Sequence, residues 1–324
     1  DHSYLARTPS TSSDRRTWTW SCWAKIRDAS SEGEQDVLLS AYENNIDRIS
    51  IYFEDNGTNN LTLYGLSNSN PTETIHLTTA ASYRDFGAWM HIVVAVDTTQ
   101  GIEGDRAKIY VNGERVSDFT NSTSPGQNAE LILNKVNEQL IGVDKWDSSI
   151  SDTYFGGYLG EVHFIDGQAL GPEQFALTDS KGVYNPIPYE GDYGTNGYYL
   201  PFETTDGWAN GSDHSGNGND FTPSGFSAGA TTADSPTNNY CTLNPLDDAL
   251  RGATTYAGNL GMSGTQTWGR GVRATFPPNE LDKYAFSVKW TRDGSVGVKS
   301  GTFNYVGLID ADAQYLSIQS GNSG

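Results

Sequence analysis

Cysteine is scarce: only Cys22 and Cys241 occur in 324 residues, so no disulfide framework holds this chain together. In the alternating stretch 17–25, Cys22 shares a face with Trp18 and Trp20, opposite Thr17, Thr19 and Ser21. It reads there as a small buried hydrophobe. Basic residues are also few, 20 against 40 acidic ones, for a formal net charge of −20. Such a surface repels nucleic acid and anionic lipid, and no basic stripe breaks it, which excludes nucleic acid as a partner. No apolar run approaches the roughly 18 residues of a membrane-crossing helix, so membrane insertion by a helix is excluded too. The sequence has no Gly-x-Ser-x-Gly elbow, no His-Glu-x-x-His pair and no phosphate-binding loop. Its five histidines, at 2, 76, 91, 163 and 214, include no pair at metal-ligand spacing, which argues against zinc. His91 shares a strand face with Val93 and Ala95 and reads as a packed, hydrogen-bonded ring.

What is present is glycine, at 36 positions, and aromatic residues, at 12%. Short apolar runs rich in Val, Ile, Tyr and Trp alternate with turn residues, the pattern of an all-β sandwich with no helix of consequence. Strands are expected at 17–25, 48–54, 60–65, 74–78, 89–97, 106–111, 114–118, 130–133, 138–143 and 157–165. Asn112-Gly113 supplies the positive φ angles of a tight hairpin turn, and Asp55-Asn-Gly57 marks another. Period two places Ile49, Ile51 and Phe53 on an inner face. In 157–165 it sets Tyr158, Val162 and Phe164 against Leu159, Glu161, His163 and Ile165. Gly171-Pro-Glu-Gln-Phe predicts a short helical turn at 171–176.

Three motifs occur in order: Trp18-Thr-Trp-Ser-Cys-Trp-Ala-Lys25, then 89–97 with the 105–116 hairpin, then 157–170 ending on Ala169-Leu170. Together they resemble the laminin-G-like, concanavalin A-like jelly roll over roughly residues 4–176. Tyr198-Tyr-Leu-Pro-Phe202 and Asp213-His-Ser-Gly-Asn-Gly-Asn-Asp-Phe221 resemble the motif that usually opens such a domain. Here they follow the closing strand. Residues 1–225 are therefore read as one jelly roll, with 197–223 as a displaced terminal strand and loop. A linker is expected at 226–245. Lys283-Tyr-Ala-Phe-Ser-Val-Lys-Trp290 and Tyr305-Val-Gly-Leu-Ile309 resemble the opening of a SPRY-type sandwich, so 246–324 is expected to begin a second, partial SPRY-like domain. Both chain ends read as cuts through a longer protein.

Calcium is the ion the loops suggest, because hard cations want several oxygens from Asp, Asn and backbone carbonyls. The candidates are Asp97 and Asp144 at strand ends, with Asp213 and Asn217 in the glycine-rich segment. The competing reading is that these side chains cap turns by accepting backbone N–H bonds. For glycan contact, rings that stack on sugar C–H faces must stand beside polar groups. Asp144, Trp146, Asp152 and Tyr154 combine both in one acidic loop; Tyr83, Tyr158 and Trp208 are further aromatic candidates. A glycosidase would need two carboxylates about 5–5.5 Å apart on one face. Glu161 and Asp166 lie on opposite faces of an unbroken strand, so the chain reads as no enzyme.

The combination of a laminin-G-like domain, the 213–221 segment, Ser235-Pro-Thr-Asn-Asn-Tyr-Cys-Thr-Leu-Asn-Pro245 and a SPRY-like start resembles structural proteins of tailed bacteriophages. That resemblance implies a non-enzymatic fibre or appendage protein at the virion surface that adheres to host-surface polysaccharide or glycoprotein. It implies other virion proteins as neighbours and a homo-oligomer, with a trimer as the usual arrangement. The alternatives are a purely architectural subunit, a polysaccharide depolymerase, and a secreted or cell-surface setting outside a virion.

Overall fold

The computed structural model describes residues 2–26, 35–54, 57–67, 70–146, 149–151, 153–202, 211–226, 230–231, 234–238, 254–256 and 261–263. The chain divides into two compact units, Asp1–Tyr240 and Cys241–Gly324. The strands in chain order begin with β1 (Tyr4–Arg7), β2 (Thr17–Lys25), β3 (Asp36–Asn44), β4 (Asp47–Phe53) and β5 (Leu61–Ser67). Next come β6 (Asn70–Thr79), β7 (Met90–Asp97), β8 (Ala107–Val111), β9 (Glu114–Arg115) and β10 (Phe119–Thr123). β11 (Glu138–Ile141), β12 (Lys145–Trp146), β13 (Ser149–Ile150), β14 (Tyr158–Asp166) and β15 (Ala176–Thr178) follow. The last are β16 (Tyr184–Pro186), β17 (Tyr198–Leu200), β18 (Thr222–Ser224), β19 (Thr254–Tyr256) and β20 (Gly261–Ser263). Of the second unit, the described part is the β19–β20 hairpin. The SPRY-like expectation for 246–324 otherwise falls outside the described residues, as does Cys241.

The first unit is built on an eight-stranded sheet, ordered β10-β6-β5-β4-β3-β11-β1-β18, and a six-stranded sheet, ordered β17-β14-β2-β7-β8-β9. One hydrophobic core draws side chains from both, as expected of an all-β concanavalin A-like sandwich. β2 contributes Trp18, Trp20, Cys22 and Ala24, all fully buried. Trp18 lies 6.1 Å from Phe164 of β14, and Phe164 stacks on Tyr198 of β17 at 5.5 Å. Ile49, Ile51 and Phe53 of β4 face them from the other sheet. Cys22 is a free, buried thiol whose pKa burial pushes well up. The β8–β9 turn has Asn112 at φ +50° and Gly113 at φ +86°, the geometry the Asn-Gly pair predicts. A single 3-10 turn at Pro172–Gln174 occupies the expected helical position.

Three expectations need correction. Residues 130–133 are not a strand: Leu131, Ile132 and Leu133 are buried in the core from a turn-rich loop, tied by Arg15 Nε donating to the Leu131 carbonyl at 2.7 Å. β3 has no counterpart in the expected strands, although Val37-Leu-Leu-Ser-Ala-Tyr42 is a buried-strand run flanked by polar residues. The alternation in β14 changes phase at a bulge, where the register slips between Gly160 and His163 and Glu161 sits at φ +50°. An extra residue in a strand reverses every face before it. Tyr158 thus packs with Trp23 and Trp89 on the outer side, while Leu159 packs against the central core.

The outer face of the six-stranded sheet is covered by the chain that follows β14. Phe175, Tyr189 and Tyr193 pack on Val93 and Ile165. His91 bonds Ser21 Oγ through Nε2 and the Tyr184 hydroxyl through Nδ1, both at 2.9 Å, and stacks on Trp23 at 5.0 Å. His163 bonds the Tyr193 hydroxyl at 2.9 Å and stacks on Tyr199 at 4.3 Å. Further along this face Lys25 Nζ meets Asp234 Oδ2 at 2.7 Å, fully buried, and Trp89 Nε1 donates to the same oxygen at 3.0 Å. Asp234, within the stretch read as a linker, is thus part of the first unit's interior.

Burial pushes the pKa of both His91 and His163 down to about 3, so the folded chain refuses protons that the unfolded chain accepts below about pH 6.5. Their contribution is fully present above pH 6.5 and is lost as pH falls toward 3, at about 1.4 kcal/mol per pH unit for each ring. Thermal denaturation between pH 7 and 4.5 is expected to show a falling Tm whose slope is shallower in His91→Gln and His163→Gln. A slope unchanged in both variants would contradict this account.

Candidate functional site

The outer face of the eight-stranded sheet carries a different set of side chains. Because Ile49, Ile51 and Phe53 point inward, period two turns Arg48, Ser50 and Tyr52 outward. Across the sheet Arg48 is paired with Tyr42, Ser50 with Tyr64, and Tyr64 with His76. The small β12–β13 hairpin brings Trp146 over Arg48, with the guanidinium carbon 4.0 Å from the centre of the indole. The same guanidinium lies 5.5 Å from the Tyr64 ring. Trp146 is 50% exposed. Tyr64 meets His76 edge-on at 5.3 Å.

A hydrogen-bonded row continues from there. His76 Nε2 bonds Thr78 Oγ1 at 3.1 Å, Thr62 Oγ1 donates to Thr78 Oγ1 at 2.9 Å, and Thr62 is 3.0 Å from Glu54 Oε1. Burial lowers the His76 pKa, partly opposed by the Glu54 charge. Asp144 accepts from Ser50 Oγ at 2.7 Å and from the Lys145 amide at 2.6 Å. Burial raises its pKa, with those bonds and the Arg48 charge working against the rise. Desolvation likewise raises the Tyr52 phenol, helped by the Glu54 charge. Half-exposed Trp146 and the part-buried Arg48, Tyr64 and His76 therefore share one surface, with the hydroxyls of Ser50, Thr62 and Thr78 buried beneath it.

Of the residues named for glycan contact, Asp144 and Trp146 come together on this face. Tyr154 packs elsewhere, 4.5 Å from the His2 ring and 6.4 Å from Tyr4. Asp152 and Trp208 lie outside the described residues. Tyr158 belongs to the covered Trp23 and Trp89 cluster. Tyr83 meets Phe53 edge-on at 6.1 Å and lines an open cleft of about 500 Å³ with Val111, Glu114, Arg115 and Asp118.

The four calcium candidates do not gather. Asp97 ends a strand of the six-stranded sheet, where its carboxylate accepts from the Thr99 amide at 3.0 Å, Thr99 Oγ1 at 2.6 Å and Gln100 Nε2 at 2.5 Å. Burial pushes its pKa up, but those bonds outweigh it and the net shift is downward. Asp213 accepts four hydrogen bonds, from the amides of Tyr199, Ser215 and Asn219 and from Ser215 Oγ, all within 2.8–2.9 Å. Asn217 shares that loop and donates to the carbonyls of Gly194 and Gly197. Asn219 accepts from Arg7 of β1 at 2.5 Å. This segment is a clasp that fastens β17 to the body of the sandwich. Among the described residues no group of three or more His, Cys, Asp or Glu side chains is arranged to hold a metal.

Glu161 and Asp166 also have separate partners. The Tyr199 hydroxyl donates to Glu161 at 2.5 Å on the outer side. Asp166 is buried, accepting from Asn134 Nδ2 at 2.8 Å and the Asn196 amide at 2.9 Å. The residues that the sequence reading overlooked are Arg48, Tyr64 and His76. Their signal was the polar face left over once Ile49, Ile51 and Phe53 were turned inward.

A family model described as the concanavalin A-like lectin/glucanases superfamily matches residues 2–176. No curated protein matches the chain. Among solved structures, the chain is similar to the Ruminococcus gnavus IT-sialidase CBM40 bound to α2,3-sialyllactose, at 16% identity over 44% of this chain and 73% of that one, TM-score 0.33. It is similar to the enzymatically active domain of bacteriophage CBA120 tailspike protein 2, at 10% identity over 52% and 25%, TM-score 0.36. It is also similar to domains LG4-5 of the mouse laminin α1 chain, at 15% identity over 50% and 38%, TM-score 0.33.

Because the Asp213 carboxylate is taken up by its own loop, Asp213→Ala is expected to cost about 1–3 kcal/mol of stability, measured by denaturant unfolding. A chelator is expected to leave the Tm of the unaltered chain where it is. A Tm drop on chelation would show that this loop holds calcium.

Proposed function

The chain belongs to the concanavalin A-like lectin/glucanases superfamily, and from that premise we propose that its first unit is a non-enzymatic glycan-binding module acting through the Trp146 face. The observation that carries this reading is the half-exposed indole packed over the Arg48 guanidinium, beside Tyr64 and His76. A ring fixed in one orientation loses little freedom on binding, so more of the stacking energy appears as affinity. The part-buried Arg48 and His76 supply polar groups that a sugar's hydroxyls need. The separate partners of Glu161 and Asp166 support a role without catalysis, since a retaining pair must face each other across about 5–5.5 Å.

The biological setting follows from the sequence resemblance: a fibre or appendage protein at a phage virion surface, attached to other virion proteins and contacting host-surface polysaccharide or glycoprotein. Single sugar contacts of this kind are weak. A homotrimer presenting three such faces would bind through effective concentration, without any new contact.

The test is binding to an array of bacterial surface polysaccharides. Trp146→Ala is expected to weaken binding at least tenfold, while its stability stays within about 0.5 kcal/mol of the parent, as for other exposed positions. No reducing ends should be released from any bound polysaccharide. Silence against every host polysaccharide, or binding indifferent to Trp146→Ala, would overturn the proposal.

A further inference from the structure

We propose that the sugar read by this face is an acidic one, its carboxylate or sulfate received by the guanidinium of Arg48; this rests on the reading of the face as a glycan-contact surface. Arg48 stands out among the described arginines. Arg15 and Arg16 bond Glu130, and Arg115 bonds Asp105 and the Gly104 carbonyl. Arg7 bonds Asn196 and Asn219, Arg84 the Gly57 carbonyl, and Arg106 three backbone carbonyls. Arg48 makes no hydrogen bond and no ion pair with any described residue, and its Nε is buried without a partner. In a chain with twice as many acids as bases, an arginine left without a carboxylate is a conspicuous vacancy. Buried donors are mostly paired; Trp18, Trp20, Trp23 and Gln139 also hold an unpaired buried N–H, but among these donors Arg48 is the one that carries a charge.

The geometry around it explains how that vacancy is kept. The guanidinium carbon sits 4.0 Å from the centre of the Trp146 ring and 5.5 Å from that of Tyr64, contacts that hold the group in place without using its N–H donors. The nearby Asp144 feels the Arg48 charge but forms no ion pair with it, its two oxygens accepting from Ser50 and from the Lys145 amide. Burial lowers the His76 pKa and so favours the neutral ring, with the Glu54 charge partly opposing. A planar fork of N–H groups without a partner matches the two in-plane oxygens of a carboxylate, or two of a sulfate. The net charge of −20 gives no long-range attraction for an anion. Selectivity must therefore arise at contact, from the Arg48 edge, with Trp146 carrying the adjoining ring.

The experiment compares uronic-acid oligosaccharides with their carboxyl-reduced counterparts, and sulfated with desulfated ones, on the full chain and on Arg48→Gln and Arg48→Lys. The unaltered chain is expected to prefer the acidic member of at least one pair by about tenfold or more, the usual advantage of a charge-assisted fork. Arg48→Gln should bind both members alike. Arg48→Lys, which keeps the charge and loses the fork, should fall between the two and guards against a misfolded Gln variant. Which pair discriminates identifies the anion as carboxylate or sulfate. Equal binding of acidic and neutral members by the unaltered chain, or a preference that survives Arg48→Gln, overturns the Arg48 inference while Trp146-dependent binding leaves the glycan reading standing. Failure to bind any oligosaccharide sinks the glycan reading itself.

Discussion

The pairing of β2 between β14 and β7 is the constraint from which the rest of the sandwich follows. From Trp18 to Ala24 this strand is bonded on both sides, so every second side chain is committed to one face. Trp18 and Trp20 fill the space between the sheets and meet Phe164 and Tyr198. Large rings buried in close-packed surroundings tolerate little adjustment, and loss of one costs about 3–5 kcal/mol. The alternate residues Thr19, Ser21, Trp23 and Lys25 face the other way. They too are buried, because the chain after β14 folds back across them.

That covering accounts for where a ligand can be met. One sheet has its outer side sealed by aromatic residues from 175 to 193 and by Asp234, with two histidines locked neutral beneath. The other sheet presents part-buried Arg48, Tyr64 and His76, with the β12–β13 hairpin laid over Arg48. The asymmetry is a property of connection rather than of composition. Aromatic residues occur on both outer faces; on the eight-stranded sheet Tyr42 and Tyr52 are buried while Trp146 is half exposed.

Much of this was readable from residue order. Alternation in 17–25 and 48–54 assigns Trp18, Trp20, Ile49, Ile51 and Phe53 to the interior, and the Asn112-Gly113 pair marks its hairpin, since these depend on local geometry alone. Trp146 and Asp144 were identifiable as a polar, aromatic loop. The face order of β14 was not, because the bulge at Glu161 shifts the phase and no Gly or Pro at that residue signals it. Leu131-Ile-Leu133 has strand composition, yet its backbone is bonded to Arg15 and turns, a tertiary choice that overrides propensity. Arg48 was equally opaque. A basic residue next to an apolar run is ordinary, and what makes this one distinctive is the hairpin from 145 to 150 closing over it, nearly a hundred positions away.

The displaced segment has a practical consequence. β17 lies against β14 and β18 against β1, so the last strands of the first unit finish one sheet and then the other. A fragment cut at residue 176, where the family match stops, would leave two raw borders of unpaired amides and carbonyls, an invitation to stack with copies of itself. It would also strip the lid from His163 and take Asp234 away from Lys25. The smallest self-sufficient piece of this protein therefore runs on past Asp234, well beyond the stretch its relatives have in common.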